Sequence, residues 1–148
     1  MNKLNLKTHK ATNIDCTAIT KLTSELGYSC NILEISNRLD KILKREDCVV
    51  YVAEDENNSI VGWIQIQVTP ILELGLSAEI IGLIVAENAR RKGVGSILVQ
   101  SATKWATSQS AEVIFVRSNI KRIESNLFYP SLGFLSTKTQ HVYQKKIV

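Results

Sequence analysis

The chain has 148 residues, a length that fits one domain with a sizeable core. Its apolar share of 45% and charged share of 22% exclude a disordered or fibrous protein. The net charge of +4 is spread over small groups (Lys41, Lys44 and Arg45; Arg90, Arg91 and Lys92; Lys121 and Arg122; Lys145 and Lys146), which argues against a nucleic-acid binder with a dense basic stripe.

Residues 2–9 read as a short strand, with Leu4 and Leu6 alternating against polar neighbours. Asn13 or Asp15 caps a helix to about Leu26, with Ile14, Ala18, Ile19 and Leu22 on one face. A second helix over residues 32–44 places Ile35, Leu39, Ile42 and Leu43 at helical spacing. Residues 48–54 form a strand, residues 55–58 a hairpin turn and residues 59–68 its partner. Residues 69–77, with Pro70 near the start, read as an unusually apolar loop. The unbroken run Ile80-Ile81-Gly82-Leu83-Ile84-Val85 predicts a strand buried on both faces. Gly93 opens a helix to about Ser108, and residues 113–116 make another short strand. A shorter helix over residues 122–132 precedes strands near residues 134–137 and 142–146. This order predicts one mixed α/β sheet in a single domain spanning residues 1–148.

No apolar run approaches the roughly 20 residues of a membrane-spanning helix. The first seven residues lack the apolar core of a secretory signal, so a soluble cytoplasmic protein is expected. Cys16, Cys30 and Cys48 show no metal-ligand spacing, and with His9 and His141 they suggest neither a metal site nor a nucleophile–base pair.

The segment richest in chemistry runs from Ala78 to Ser96. A strand ends, a short loop follows, and the turn Arg90-Arg91-Lys92-Gly93-Val94-Gly95-Ser96 opens an amphipathic helix. Unpaired N–H groups and the dipole at a helix start favour an anion. Two glycines let it approach the backbone, and three cations attract it. A phosphate or pyrophosphate site is therefore predicted. The spacing lacks the Gly-x4-Gly-Lys-Ser/Thr pattern of nucleotide triphosphate loops, and Leu98 stands where a dinucleotide loop needs its third glycine.

Arg90-x-x-Gly93-x-Gly95 resembles the Arg/Gln-x-x-Gly-x-Gly/Ala signature of the GNAT superfamily of N-acetyltransferases. Asn119, Arg122 and Phe128-Tyr129-x-x-Leu132-Gly133-Phe134 resemble that family's second motif, and the likeness spans nearly the whole chain. The resemblance implies a GNAT-like fold, a mixed, mostly antiparallel sheet flanked by about four helices. It implies acetyl-coenzyme A as co-substrate, without a metal. The backbone of Arg90, Arg91, Lys92, Gly93, Val94, Gly95 and Ser96 would hold the pyrophosphate. Leu83, Ile84 and Val85 would pair with the pantetheine arm through main-chain groups, Asn119 would contact that arm, and Arg122 would sit near the nucleotide phosphates.

An attacking amine must lose a proton, and Glu79, eleven residues before Arg90, matches the general-base glutamate of some relatives; ordered water is the other candidate. Tyr129 matches the acid that returns a proton to the leaving thiolate, and the Val85 N–H the donor to the thioester carbonyl. Pro130 departs from the motif and is expected to end its helix early. The implied activity is acetyl transfer to a primary amine, small or protein-borne, without nucleic-acid or membrane partners and with a possible homodimer. A non-catalytic acyl-coenzyme A sensor on the same fold is the alternative.

Overall fold

The computed structural model describes residues 5–148, which gather into two compact units, one ending at Arg117 and one running Ser118–Val148. The first contains β1 (Lys7–Lys10), α1 (Cys16–Glu25), α2 (Ile32–Leu43), β2 (Cys48–Glu54), β3 (Ile60–Ile71), β4 (Gly75–Val85), α3 (Val94–Ser108) and β5 (Val113–Val116). The second contains α4 (Ile123–Ser131). The sheet runs β1-β2-β3-β4-β5, antiparallel except for the parallel β4–β5 pair, whose crossover is α3. The expected mixed, mostly antiparallel sheet with four helices is what the chain forms.

Alternation along the strands divides the core into two layers. Val50 and Val52 of β2 and Trp63 of β3 face α1 and α2, where they meet Cys16, Ile19 and Leu39. The Trp63 indole N–H donates to Thr23 Oγ1 of α1 at 3.2 Å, which satisfies its one polar atom. The opposite face carries Gly62, Ile64 and Ile66, covered by the buried stripe Val94, Leu98, Ala102 and Trp105 of α3.

Several expectations are corrected. The first strand begins at Lys7, and its proposed residues 2–4 lie outside the described residues. Ile14 is 91% exposed rather than on the face of α1. The chain makes a 3-10 turn at Asn13–Asp15, where Thr12 N–H donates to Asp15 Oδ2 at 2.9 Å, so the α-helical face begins only at Cys16. Residues 69–77 are not a loop: β3 and β4 continue through them as a hairpin in which Pro70 pairs with Leu76 and Ile71 with Gly75. Pro70 is exposed, which suits a residue with no N–H to give to a ladder.

The run Ile80–Val85 is not buried on both faces, since Ile81 is 46% exposed. The register explains it. Ile66 lies opposite Ile80 and Gln65 opposite Gly82, so Ile81 is an extra residue in β4, a β-bulge.

Pro130 lies inside α4, which continues one residue further, and Gly133 at φ +90° then turns the chain. Residues 134–148 form no strand, and Val142 and Tyr143 are 85% and 90% exposed. Their alternating pattern is suited to a strand, but a strand exists only where an edge pairs with it.

At Gly62 of β3, helix α3 packs directly against the sheet. A methyl group on Gly62 would stand 2.8 Å from Val94 Cγ1 and 2.9 Å from the Ile84 carbonyl oxygen, neither of which yields easily. Gly62→Ala is therefore expected to destabilise the protein by roughly 1–3 kcal/mol, read as a lower midpoint of chemical denaturation at unchanged slope. Wild-type stability in this variant would show that α3 can back away from the sheet.

Candidate active site

Within the first unit the bulge at Ile81 governs what β4 offers. The parallel ladder to β5 joins Ser77 to Val113, Ala78 to Ile114, Glu79 to Phe115 and Ile80 to Val116, and stops there. From Ile81 to Val85 the strand keeps only its β3 neighbour. Ala86 N–H donates to the Val61 oxygen at 2.8 Å. Antiparallel alternation then makes Ile84 and Trp63 a hydrogen-bonded pair and turns the N–H and C=O of Leu83 and Val85 toward the open edge. Of the three residues expected there, Leu83 and Val85 present their main chain outward, whereas Ile84 directs its main chain to β3.

The loop after β4 makes a 3-10 turn at Glu87–Ala89, becomes extended at Arg90, and passes through left-handed residues at Arg91 (φ 61°) and Gly93 (φ 88°). Gly93 is the N-cap of α3, where only glycine adopts this conformation without strain. No side chain caps the helix, so the N–H groups of Val94, Gly95 and Ser96 emerge from its first turn without an intrahelical acceptor. Arg90, Arg91, Lys92, Gly93 and Ser96 are exposed, while Val94 is buried against the sheet. The first turn of α3 is thus anchored by its apolar side and open on its polar side, an arrangement suited to an anion. On the α1 side of this loop lies a groove of about 570 Å3 bordered by Lys21, Glu25, Asp55, Asn88 and Lys92.

Glu79 sits on β4 directly opposite Gln67 of β3 and Phe115 of β5. Its side chain is 20% exposed, and its Oε2 lies 3.2 Å from the Arg117 guanidinium, which stands 5.6 Å over the Phe115 ring. The sequence reading missed Arg117 altogether. No motif marks it, and only the strand pairing brings residues 79 and 117 together.

In the second unit, the Asn119 side-chain oxygen accepts from Lys121 N–H at 3.0 Å, and its carbonyl accepts from Arg122 N–H at 2.9 Å. Asn126 Nδ2 donates to the Ile120 carbonyl at 3.0 Å, tying this loop to α4. Asn119 therefore shapes the entry to α4, and Arg122 is that helix's N-cap residue. Tyr129 packs edge-on between Phe128 and Phe134, with ring centroids 5.1 and 5.6 Å away. Burial pushes its phenol above the usual tyrosine range, against a smaller opposing effect of the Arg122 charge.

Cys16 and Cys48 are buried, Cys30 is half-buried, and all three are free thiols. Burial raises the Cys48 thiol further from ionisation. No group of three His, Cys, Asp or Glu side chains gathers among the described residues. No helix among them is long and apolar enough to cross a membrane.

Comparison with known proteins agrees with this geometry. The Acetyltransferase (GNAT) family matches residues 17–134. The aminoglycoside N(6')-acetyltransferase type 1 of Serratia marcescens is 29% identical over 66 residues, a match spanning 45% of this chain and 45% of that protein, under half its length. A transcriptional regulator from Bacillus halodurans C-125 superposes with a TM-score of 0.86 at 22% identity over 95% of this chain and 100% of that one. Aminoglycoside N-acetyltransferase AAC(6')-Iy in complex with CoA gives 0.87 at 14% identity, covering 99% and 98%. The aminoglycoside 6'-N-acetyltransferase AAC(6')-Ih of Acinetobacter baumannii gives 0.84 at 14%, covering 97% and 100%. At these identities the superpositions speak for the fold.

The raised Tyr129 pKa carries a stability consequence. Folding favours the neutral phenol, so this contribution is complete below the unfolded value near about 10 and is lost as pH rises through the higher folded value. The melting temperatures of wild type and Tyr129→Phe should keep a constant difference from pH 6 to 9, and wild type should lose ground above about pH 10. A difference that instead changes between pH 7 and 9 would contradict the burial of this phenol.

Proposed function

The chain belongs to the GNAT acetyltransferase family, and from that premise we propose that it transfers an acetyl group from acetyl-coenzyme A to a primary amine by direct attack in a ternary complex. The observation that carries this reading is the pairing of an open β4 edge with an uncapped helix start a few residues later in the same unit. A strand edge suits the amide-rich pantetheine arm, and a helix N-terminus flanked by Arg90, Arg91 and Lys92 suits a pyrophosphate.

Leu83 and Val85 would take the arm by their outward main-chain groups. The loop from Arg90 to Ser96 would hold the phosphates, with Gly93 setting the backbone and Val94 fixing the helix to the sheet. Bound acetyl-coenzyme A supplies an acetyl thioester: the amine nitrogen bonds the carbonyl carbon, the carbon–sulfur bond breaks, and the thiolate takes up a proton. The Val85 N–H, pointing to the open edge, is placed to donate to an oxyanion there. Glu79, or a water beside it, accepts the proton shed by the amine. Glu79 lies on β4 just before the point where the β4–β5 ladder ends, within 3.2 Å of Arg117. Tyr129 serves as the acid, and its raised pKa keeps the proton on the phenol at neutral pH, as a donor requires. Asn119 and Arg122 support this role by shaping the start of the helix that carries Tyr129.

The matched Serratia marcescens relative is named for aminoglycoside acetylation. The reading here extends to an amine acceptor in general, in a cytoplasmic setting, with no requirement for metal, nucleic acid or membrane.

A thermal-shift titration with acetyl-coenzyme A, coenzyme A and NAD tests the reading. Saturation with acetyl-coenzyme A at a hundred times Kd should stabilise the protein by about 2.7 kcal/mol, with no response to NAD. Gly93→Glu should abolish the shift, and Gly93→Asn, which tolerates a left-handed backbone, should fold and retain it. Tyr129→Phe should keep the shift and lower acetyl transfer by about 100-fold or more. No shift with either coenzyme A species would overturn the proposal. A shift with no thiol release for any amine would make the protein a sensor rather than a transferase.

A further inference from the structure

The motifs account for the cofactor side of the site but leave Arg117 without a task. Its position is unusual. Phe115 is opposite Glu79 in the parallel ladder, and Arg117, two residues on, shares the Phe115 face. It is also the first residue after β5, directly beyond the last ladder pair, Ile80 with Val116. On β4 the corresponding first residue is the bulged Ile81. The guanidinium therefore stands where the two strands separate, at the root of the open edge.

Its present contacts hold it there without consuming it. One guanidinium nitrogen lies 3.2 Å from Glu79 Oε2, and the group lies 5.6 Å over the Phe115 ring. The side chain is nevertheless 63% exposed. A planar guanidinium carries five donors, so a single approach to one carboxylate oxygen leaves a face of the fork for another ligand. Glu79, at 20% exposure, is the more enclosed member of the pair, and the exposed Arg117 head is the side from which an incoming charge can approach. The same sheet face carries Gln65 and Gln67, opposite Gly82 and Glu79, which add neutral polar groups beside the pair.

This pattern has a preferred partner. A polycation without an acidic group would bring its charge against Arg117. An amine that carries a carboxylate a few atoms away would satisfy both members, its ammonium on Glu79 and its carboxylate on the guanidinium fork. Exchanging one ion pair for two charge-assisted contacts favours that ligand. We infer that Arg117 is a specificity-determining residue that selects acceptors bearing a carboxylate near the amine, of the amino-acid type. The inference rests on the acetyltransferase reading of the same site.

The test uses acceptor pairs that differ by one carboxylate: lysine against cadaverine and ornithine against putrescine. The intact chain is assayed by thiol release from acetyl-coenzyme A. Wild type should favour the carboxylated member of each pair in kcat/KM. Arg117→Gln should reduce that preference by about tenfold, mainly through KM, and Arg117→Lys should restore part of it. An acetyl-coenzyme A thermal shift in each variant reports that fold and cofactor site are intact.

Preference for the decarboxylated member in wild type would overturn the inference, as would equal loss on both members in Arg117→Gln. Cofactor binding with turnover of other amines but of no carboxylated one would overturn it as well, and would leave the transferase reading standing. A protein that binds no acetyl-coenzyme A would instead remove that reading itself, and this inference with it.

Discussion

An extra residue in a strand shifts its register against the neighbour it pairs with and locally breaks the ladder. In β4 that residue is Ile81: the β3 ladder resumes after it, and the β5 ladder has ended just before it, at Ile80. The outcome is a run of main chain from Ile81 to Val85 that is bonded on one side only. In most sheets an unpaired edge is a liability that a protein hides. Here it is short and one-sided, follows the last residue paired with β5, and leads directly into the loop at the start of α3.

The second constraint is the closeness of α3 to β3. Gly62 lets Val94 and Leu98 press onto the sheet, and Val94 is the first residue of the helix. Burying the apolar side of that first turn fixes the direction of the N–H groups on its other side. The left-handed Gly93 then brings the chain into the helix without a side-chain cap that would compete for those donors. Packing and the exposure of uncapped helix-start donors are thus properties of the same turn. The groups that would hold a ligand belong to the backbone, while the side chains of Arg90, Arg91 and Lys92 stay exposed.

What the sequence revealed and what it hid follow the range of the interactions. The glycine turn that opens α3 is local, written in glycine spacing and in the switch from strand to helix periodicity, and it was legible. So was the helix that carries Tyr129 between Phe128 and Phe134. The bulge was not, because Ile80-Ile81-Gly82-Leu83 reads as one apolar run and only register against Gln65 and Ile66 shows the extra residue. Pro70 suggested a loop where the strand in fact continues, since an exposed proline needs no ladder donor there. Ile14 was assigned to a buried face because helical periodicity was extended back into a 3-10 turn. Arg117 carried no signal of its own: its meaning depends on Glu79 and Phe115, which meet it only through parallel pairing. The alternating residues near the C-terminus show the converse, a strand-like pattern without a strand.

The central claim is that the open edge of β4 and the first turn of α3 together receive acetyl-coenzyme A through backbone groups. Residue-resolved amide hydrogen exchange with and without acetyl-coenzyme A tests it most directly, because it reads those N–H groups themselves. The account predicts slower exchange at Leu83 and Val85 and at Val94, Gly95 and Ser96, with little change in β1 and β2. Binding that leaves the amides of Leu83 and Val85 unprotected, while protecting another face of the sheet, would contradict it.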